Sequence, residues 1–211
     1  MRTPRHLVGL IAGGMLVASL GCGLRYRVDR DLLESIPPED KLALFDAEND
    51  VLIAKDEGEA ARNDREDAQR ALEDAEDDVS SIRKRADAEK DTRLKTLLRA
   101  WADRKIEWRE AEVDLAEARM DAAHAALMAA RARYERAKAL IMKERAPRRA
   151  TDISMKDFDG QVKDRNADAA EGLKDTDKVR AERDKKRAAY DDVSRQLQQI
   201  SGGAYGGPWA D

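Results

Sequence analysis

Cys22 is the single cysteine among 211 residues. A lone thiol has no partner for an internal disulfide. No histidine or carboxylate set surrounds it in the sequence to make it a metal ligand or a catalytic nucleophile. Elsewhere the residues able to do chemistry are scattered. His124 lies among Ala122, Ala123, Ala125 and Ala126, and the only other histidine is His6, so a zinc set of the usual nitrogen and sulfur ligands is missing. Glu73, Asp74, Glu76, Asp77 and Asp78 form an acidic run of the kind that most often marks a solvated helix face. Trp101, Trp108 and Tyr190 share a helical spacing if a third helix folds back, and they are candidate partner contacts or bulky seam residues. Tyr205 and Trp209 stand in a glycine-rich tail, where they are further candidates for partner contact. No phosphate-binding glycine loop, zinc-helix motif or nucleophile elbow occurs. The chain therefore reads as a non-enzyme, with no cofactor, metal or small-molecule substrate.

The surroundings of Cys22 are more informative. Arg2 and Arg5 precede an uncharged stretch from Leu7 to Leu20, and Ala18-Ser19-Leu20-Gly21-Cys22 closes it. A basic start, a short apolar run and small residues at the end make up a secretory signal. The run is too short to span a bilayer, which takes about 20 apolar residues. The segment 18–22 is similar to the lipobox of bacterial lipoproteins, although Ser19 and Leu20 exchange the usual leucine and small-residue positions. The resemblance covers about the first 22 residues. It implies cleavage between Gly21 and Cys22, lipidation of Cys22 (diacylglyceryl and a further palmitate-type acyl chain), and a membrane-anchored mature protein facing the periplasm. Gly23, where an inner-membrane lipoprotein often has Asp, leans the expectation towards the outer membrane.

Composition limits the architecture beyond Cys22. Charged residues are 40% of the chain and aromatics 4%. Leu, Ile, Val and Phe together number 38, a level at which a compact globular core is not expected. Yet 36 alanines, with abundant Glu, Lys and Arg, make most of the chain a strong helix former. Long helices joined along a narrow seam satisfy both facts. Without residues 1–21 the balance is 38 basic to 44 acidic side chains, and an acidic exported protein is a poor nucleic-acid binder.

The elements that would position these residues are set by periodicity. Residues 22–38 read as a lipidated N-terminus and tether, ended by Pro37-Pro38. From 39 to 146 there is no proline, and one glycine. Leu44, Val51, Gly58, Arg65, Leu72, Val79 and Ala86 form one heptad row, with Ala47, Ala54, Ala61, Ala68, Ala75 and Ile82 three residues on. After a one-residue slip the rows resume as Leu94, Trp101, Trp108, Leu115, Ala122, Ala129 and as Leu97, Arg104, Ala111, Ala118, Ala125, Ala132, Ala139. Repeats sustained this long are a coiled-coil signal. Pro147 starts a loop over 147–154. A returning helix over 155–200 has rows Val162, Ala169, Thr176, Arg183, Tyr190, Leu197 and Gly172, Val179, Lys186, Val193, Ile200. Residues 201–211 read as a flexible Gly-rich tail.

The expected fold is all-α. Two arrangements fit: a long antiparallel coiled-coil hairpin with residues 39–146 as one helix, or a three-helix bundle that turns near residues 88–93. Between Ser81 and Leu94 there is no Gly, Pro or Asn, which favours the continuous helix. Its first half would then need a partner, either a second copy (a homo-oligomer) or another envelope coiled-coil protein. Charge favours contact between the two halves, equally within one chain or between molecules: residues 40–90 have 9 basic and 17 acidic side chains, and 91–149 have 15 and 10.

The functional expectation is a membrane-anchored periplasmic scaffold, spacer or adaptor of the cell envelope. A holdase-type chaperone and a helical component of an efflux or secretion assembly are the alternatives.

Overall fold

A computed structural model of the chain describes residues 23–34 and 36–205. Cys22, Gly21 and the leader, as well as Trp209, lie outside the described residues. Among the described residues, four helices occur in the order α1 (Arg30–Glu34), α2 (Leu42–Ala88), α3 (Thr92–Arg145) and α4 (Met155–Ile200), with a 3₁₀ turn at Pro38–Lys41 leading into α2. No strand occurs among the described residues. The all-α class is observed, and the three long helices pack side by side.

The continuous helix over 39–146 does not form. The chain breaks at 89–91 and reverses, which is the three-helix alternative. No glycine is needed there, because Glu89 and Asp91 are ordinary extended residues, at φ −70°, ψ 133° and φ −73°, ψ 114°. Carboxylates supply what glycine does not. Asp91 caps α3 by accepting from the backbone N–H of Arg93 at 2.8 Å and of Leu94 at 3.1 Å. Glu89 accepts from the N–H of Lys90 at 2.7 Å and of Asp91 at 3.0 Å. Aspartate is among the best N-caps, as its oxygen satisfies donors that the first turn leaves unpaired.

Once the chain turns, the acidic half of the sequence lies antiparallel to the basic half. The ion pairs record the register: Asp40–Arg145 at 3.1 Å, Arg65–Glu117 at 3.0 Å, Asp78–Lys105 at 3.2 Å, Arg83–Asp103 at 2.8 Å and Asp87–Arg99 at 2.6 Å. As one partner advances from Asp40 to Asp87, the other retreats from Arg145 to Arg99. Exposed pairs contribute little each, ~0–1 kcal/mol, so their value here is alignment rather than strength.

Much of each heptad row is buried or half-buried, while Arg104 in the second row of α3 is exposed. On α2, Leu44, Ala54, Ala61, Ala75, Val79 and Ala86 are buried. On α4, Thr176, Tyr190 and Leu197 are buried at heptad spacing. The α2 seam is filled by α3 of the same chain, which removes the reason the sequence offered for a partner along that face. What periodicity did not disclose is that α3 has two seams. Besides Trp101, Trp108, Leu115 and Ala122, it buries Leu98, Ala102, Lys105, Ala116 and Ala130, and Lys105 reaches Asp78 of α2. A helix apolar on two sides shows weak single-face patterning. α3 is thus the shared spine. α2 and α4 both pack on it, and among the described residues no Cα of α2 comes within 8 Å of one in α4.

Bulk is concentrated at the two ends of the rod. One cluster joins Val28, Ile36, Leu44, Met142, Ala150 and Phe158, and the other joins Val79, Leu98, Trp101, Trp108, Tyr190 and Leu197. Between them alanine and glycine let helices approach closely. A Cβ placed on Gly172 would stand 3.1 Å from the Ala122 Cα, and the Thr176 hydroxyl donates to the carbonyls of Ala118 at 3.2 Å and Gly172 at 2.9 Å.

Two further expectations change. Within the range read as a tether, Tyr26, Val28, Leu32, Leu33 and Ile36 pack on α3 and α4. In the tail, residues 201–205 close α4: Gly202 and Gly203 take φ of 63° and 89°, and Gly203 N–H bonds back to the Gln198 carbonyl at 2.9 Å. That is a Schellman-type stop, which needs a left-handed residue after the helix.

Candidate functional site

Trp101, Trp108 and Tyr190 come together, as their spacing implied, and they are inside. They are 3%, 6% and 5% exposed. Tyr190 of α4 stacks on Trp108 of α3 with centroids 5.0 Å apart and meets Trp101 at 5.7 Å and a 47° tilt. The Trp101 indole N–H donates to the Ser194 hydroxyl at 2.9 Å. Arg109 lies 4.1 Å and Arg187 5.4 Å from the Trp108 ring, and the Lys105 ammonium lies 5.1 Å from Trp101. Such cation–ring contacts stabilise by ~0.5–2 kcal/mol, more when water is excluded. Tyr205 packs half-buried on the same cluster. These aromatics lock the register of α3 and α4, and a partner would have to open the seam to touch them.

The remaining sequence candidates are distributed rather than convergent. His124 is exposed on α3, and no group of three potential metal ligands occurs among the described residues. The acidic run is a solvated face, from which the exposed Asp78 reaches Lys105 of α3. Near the C-terminal end of α3, Arg136 pairs with Asp159 at 2.5 Å, Arg145 with Asp40 at 3.1 Å and Lys138 with Glu135 at 2.7 Å.

The most organised polar site is one the heptad rows did not point to. Residues 23–36 lie across the α3–α4 end of the rod. The backbone of Tyr26 exchanges two hydrogen bonds with the Gln161 amide, N–H to Oε1 at 2.9 Å and Nε2 to the carbonyl at 3.0 Å. Two residues on, the Val28 N–H donates to Glu135 Oε2 at 2.9 Å, while Lys138 holds the other carboxylate oxygen at 2.7 Å. The Tyr26 ring meets Phe158 at 6.0 Å, and Val28 is buried. Gln161 and Glu135 are themselves only 8% and 9% exposed, so they act as built partners for an extended segment, Glu135 accepting and Gln161 both accepting and donating. The signal was present in Leu24-Arg25-Tyr26-Arg27-Val28-Asp29, which alternates apolar and charged residues as an extended segment with one buried face does.

Tyr134 flanks this site. Burial, followed by the nearby Glu48 and Glu135 carboxylates, raises its phenol above the ordinary tyrosine value.

In comparisons with known proteins, no family model, curated protein or solved structure matches the chain. Among the described residues no helix is long and apolar enough to cross a membrane.

Proposed function

We propose that the chain is a membrane-anchored envelope lipoprotein whose helical rod serves as a scaffold or spacer on the periplasmic side, with the outer membrane as the favoured site. The observation behind this reading is the junction at Gly23. On one side of it stands the apolar run that ends in Cys22, and on the other a rod whose spine, α3, is 54 residues or about 80 Å long.

Lipidated Cys22 is the anchor, since two or more acyl chains hold a protein on a bilayer stably where one does so marginally. The docked segment 23–36 gives that anchor a fixed point of attachment to α3 and α4. The scaffold role rests on how the side chains are used. Aromatics, cations and carboxylates hold helices in register, and the exposed surface is left for partners.

Intact-mass and N-terminal peptide mass spectrometry of protein taken from bacterial membranes tests this. The expected species begins at Cys22 and has the mass of a diacylglyceryl-acyl modification, and it disappears in Cys22→Ser. An unmodified Cys22 with residues 1–21 retained would refute the reading.

A further inference from the structure

Six large apolar side chains are exposed among the described residues, and four of them, Leu42, Phe45, Leu52 and Ile53, lie in the first twelve residues of α2. Alternating steps of three and four residues lead from Leu42 through Phe45 and Asn49 to Leu52, with Ile53 beside them. The same steps then meet Asp56, Glu59, Glu66, Glu73 and Asp77, with Asn63 and Arg70 between. All of these side chains are exposed. At about 3.5 residues per turn they lie about 150° around α2 from the seam that α3 fills. Among the described residues α3 is the only long helix in contact with α2. The outer face of α2 is therefore a second heptad row, apolar over two heptads and acidic beyond, with no helix of this chain upon it.

Charge indicates what covers it. Arg70, the one cation in the row, is held by Asp67, and nearby Lys55 lies 3.5 Å from Glu59. A second copy running parallel would set each carboxylate of the row against its own counterpart, and like charges directly opposed are disfavoured. An antiparallel copy would overlap only the two apolar heptads. It would bury four large side chains from each chain, well short of what a stable interface needs. An anionic lipid surface would meet the same carboxylates. A helix of another protein satisfies the whole row if it has Leu-like residues over two heptads and Lys or Arg at the core positions that follow. Asn49 would call for a polar side chain opposite, the device by which one asparagine in such a seam fixes register.

We propose that the outer face of α2 is a second coiled-coil seam that receives a cationic amphipathic helix of another protein. The helix is seated on Leu42, Phe45 and Leu52 and pairs with Asp56, Glu59, Glu66 and Glu73. It joins the rod without opening the seam between α2 and α3. This gives the scaffold reading a partner and rests on it only for that role, since no part of the face involves Cys22.

The test uses the full chain in its native cells, with p-benzoylphenylalanine in place of Phe45 or Leu52 and, as control, of Leu173 on α4, which is 63% exposed. After irradiation the joined peptides are sequenced by mass spectrometry. Positions 45 and 52, and not 173, are expected to join one other protein. The joined segment should have apolar residues at heptad spacing, continued on one side by Lys or Arg at the same steps. Glu59→Lys, Glu66→Lys and Glu73→Lys together should lower the yield by about tenfold or more, because they set cations against cations, with helicity by circular dichroism unchanged. Adducts with the same chain, with lipid or with a segment lacking the basic row overturn the proposal. So do equal adducts at 173, none at 45 and 52, or a yield that the charge reversals leave unchanged. The mass of the Cys22 peptide decides the lipoprotein reading separately, and its failure leaves this result standing.

Discussion

Tyr26 and Gln161, 135 residues apart in sequence, face each other as a backbone and a side-chain amide that satisfy one another completely, at 2.9 and 3.0 Å. The entry of the chain into the rod depends on this pair and on Glu135. Gln161→Ala with Glu135→Ala is expected to free residues 24–34 while leaving the three long helices intact. Losing these bonds from a largely buried site costs ~1–3 kcal/mol per group left unpaired. Trypsin should then cut after Arg25, Arg27 and Arg30 at least tenfold faster, by that free energy, with helicity by circular dichroism unchanged. Unchanged cleavage would mean that the segment is held by apolar contacts alone.

Asp91 closes the turn between α2 and α3. Asp91→Ala removes the cap and should lower stability by ~1 kcal/mol, whereas Asp91→Ser, another good cap, should recover most of it. Urea denaturation of the three proteins decides the matter, and equal midpoints would show that the reversal is held by α2–α3 packing without the cap.

The glycines predict opposite signs at two positions. A Cβ on Gly58 would meet nothing within 4 Å, so Gly58→Ala should raise stability by ~0.5–1 kcal/mol through helix propensity. A Cβ on Gly172 would meet the Ala122 backbone at 3.1 Å, so Gly172→Val should lower stability by ~1–3 kcal/mol by forcing α3 and α4 apart. Thermal melts of both variants against the parent chain give the signs directly.

Trp108 is buried between α3 and α4, stacked on Tyr190. Trp108→Ala should cost ~3–5 kcal/mol, with the loss expressed first as exchange of α4 amides around Tyr190. Hydrogen exchange read by mass spectrometry would show it, and protection of that segment equal to the parent's would contradict the assignment of the cluster as the lock.

Tyr134 gives a pH dependence. Its phenol is raised in the folded chain by burial and by Glu48 and Glu135. The folded state therefore keeps the proton at a pH where the unfolded chain releases it. The resulting contribution is fully present below the unfolded tyrosine value, about 10, and is lost as pH rises through the folded one. Stability should fall on that alkaline limb, and Tyr134→Phe should flatten the fall; an identical limb in the variant would exclude Tyr134 as its source.

How far the sequence could be read depends on how far each signal is local. The α2 and α4 rows were legible because each of those helices buries one face, and a single face at heptad spacing writes itself into the sequence. α3 was half legible: Trp101 and Trp108 announced one seam, while Leu98, Ala102 and Lys105 did not look like a second, since a buried lysine reads as surface until its partner Asp78 is known. The reversal at 89–91 took second place to a continuous helix because breaks were sought in Gly, Pro and Asn, whereas here Glu89 follows α2 and Asp91 caps α3 with its side chain. Gln161 and Glu135 sit among charged neighbours on long helices, and only the extended segment they hold marks them out.

Because α2 and α4 each pack along α3, with no Cα of one within 8 Å of the other, most of each seam belongs to one outer helix alone. α2 is joined to the spine at 89–91 and, at its other end, through the 3₁₀ turn to the segment held at Tyr26 and Val28, so an α2 arm that opens must release that segment too. Two copies whose α2 arms opened together would present to each other the same α3 face that each had vacated, with identical ion-pair spacing. Exchange of arms between neighbours on a crowded surface would then require no contact that the single chain does not already make.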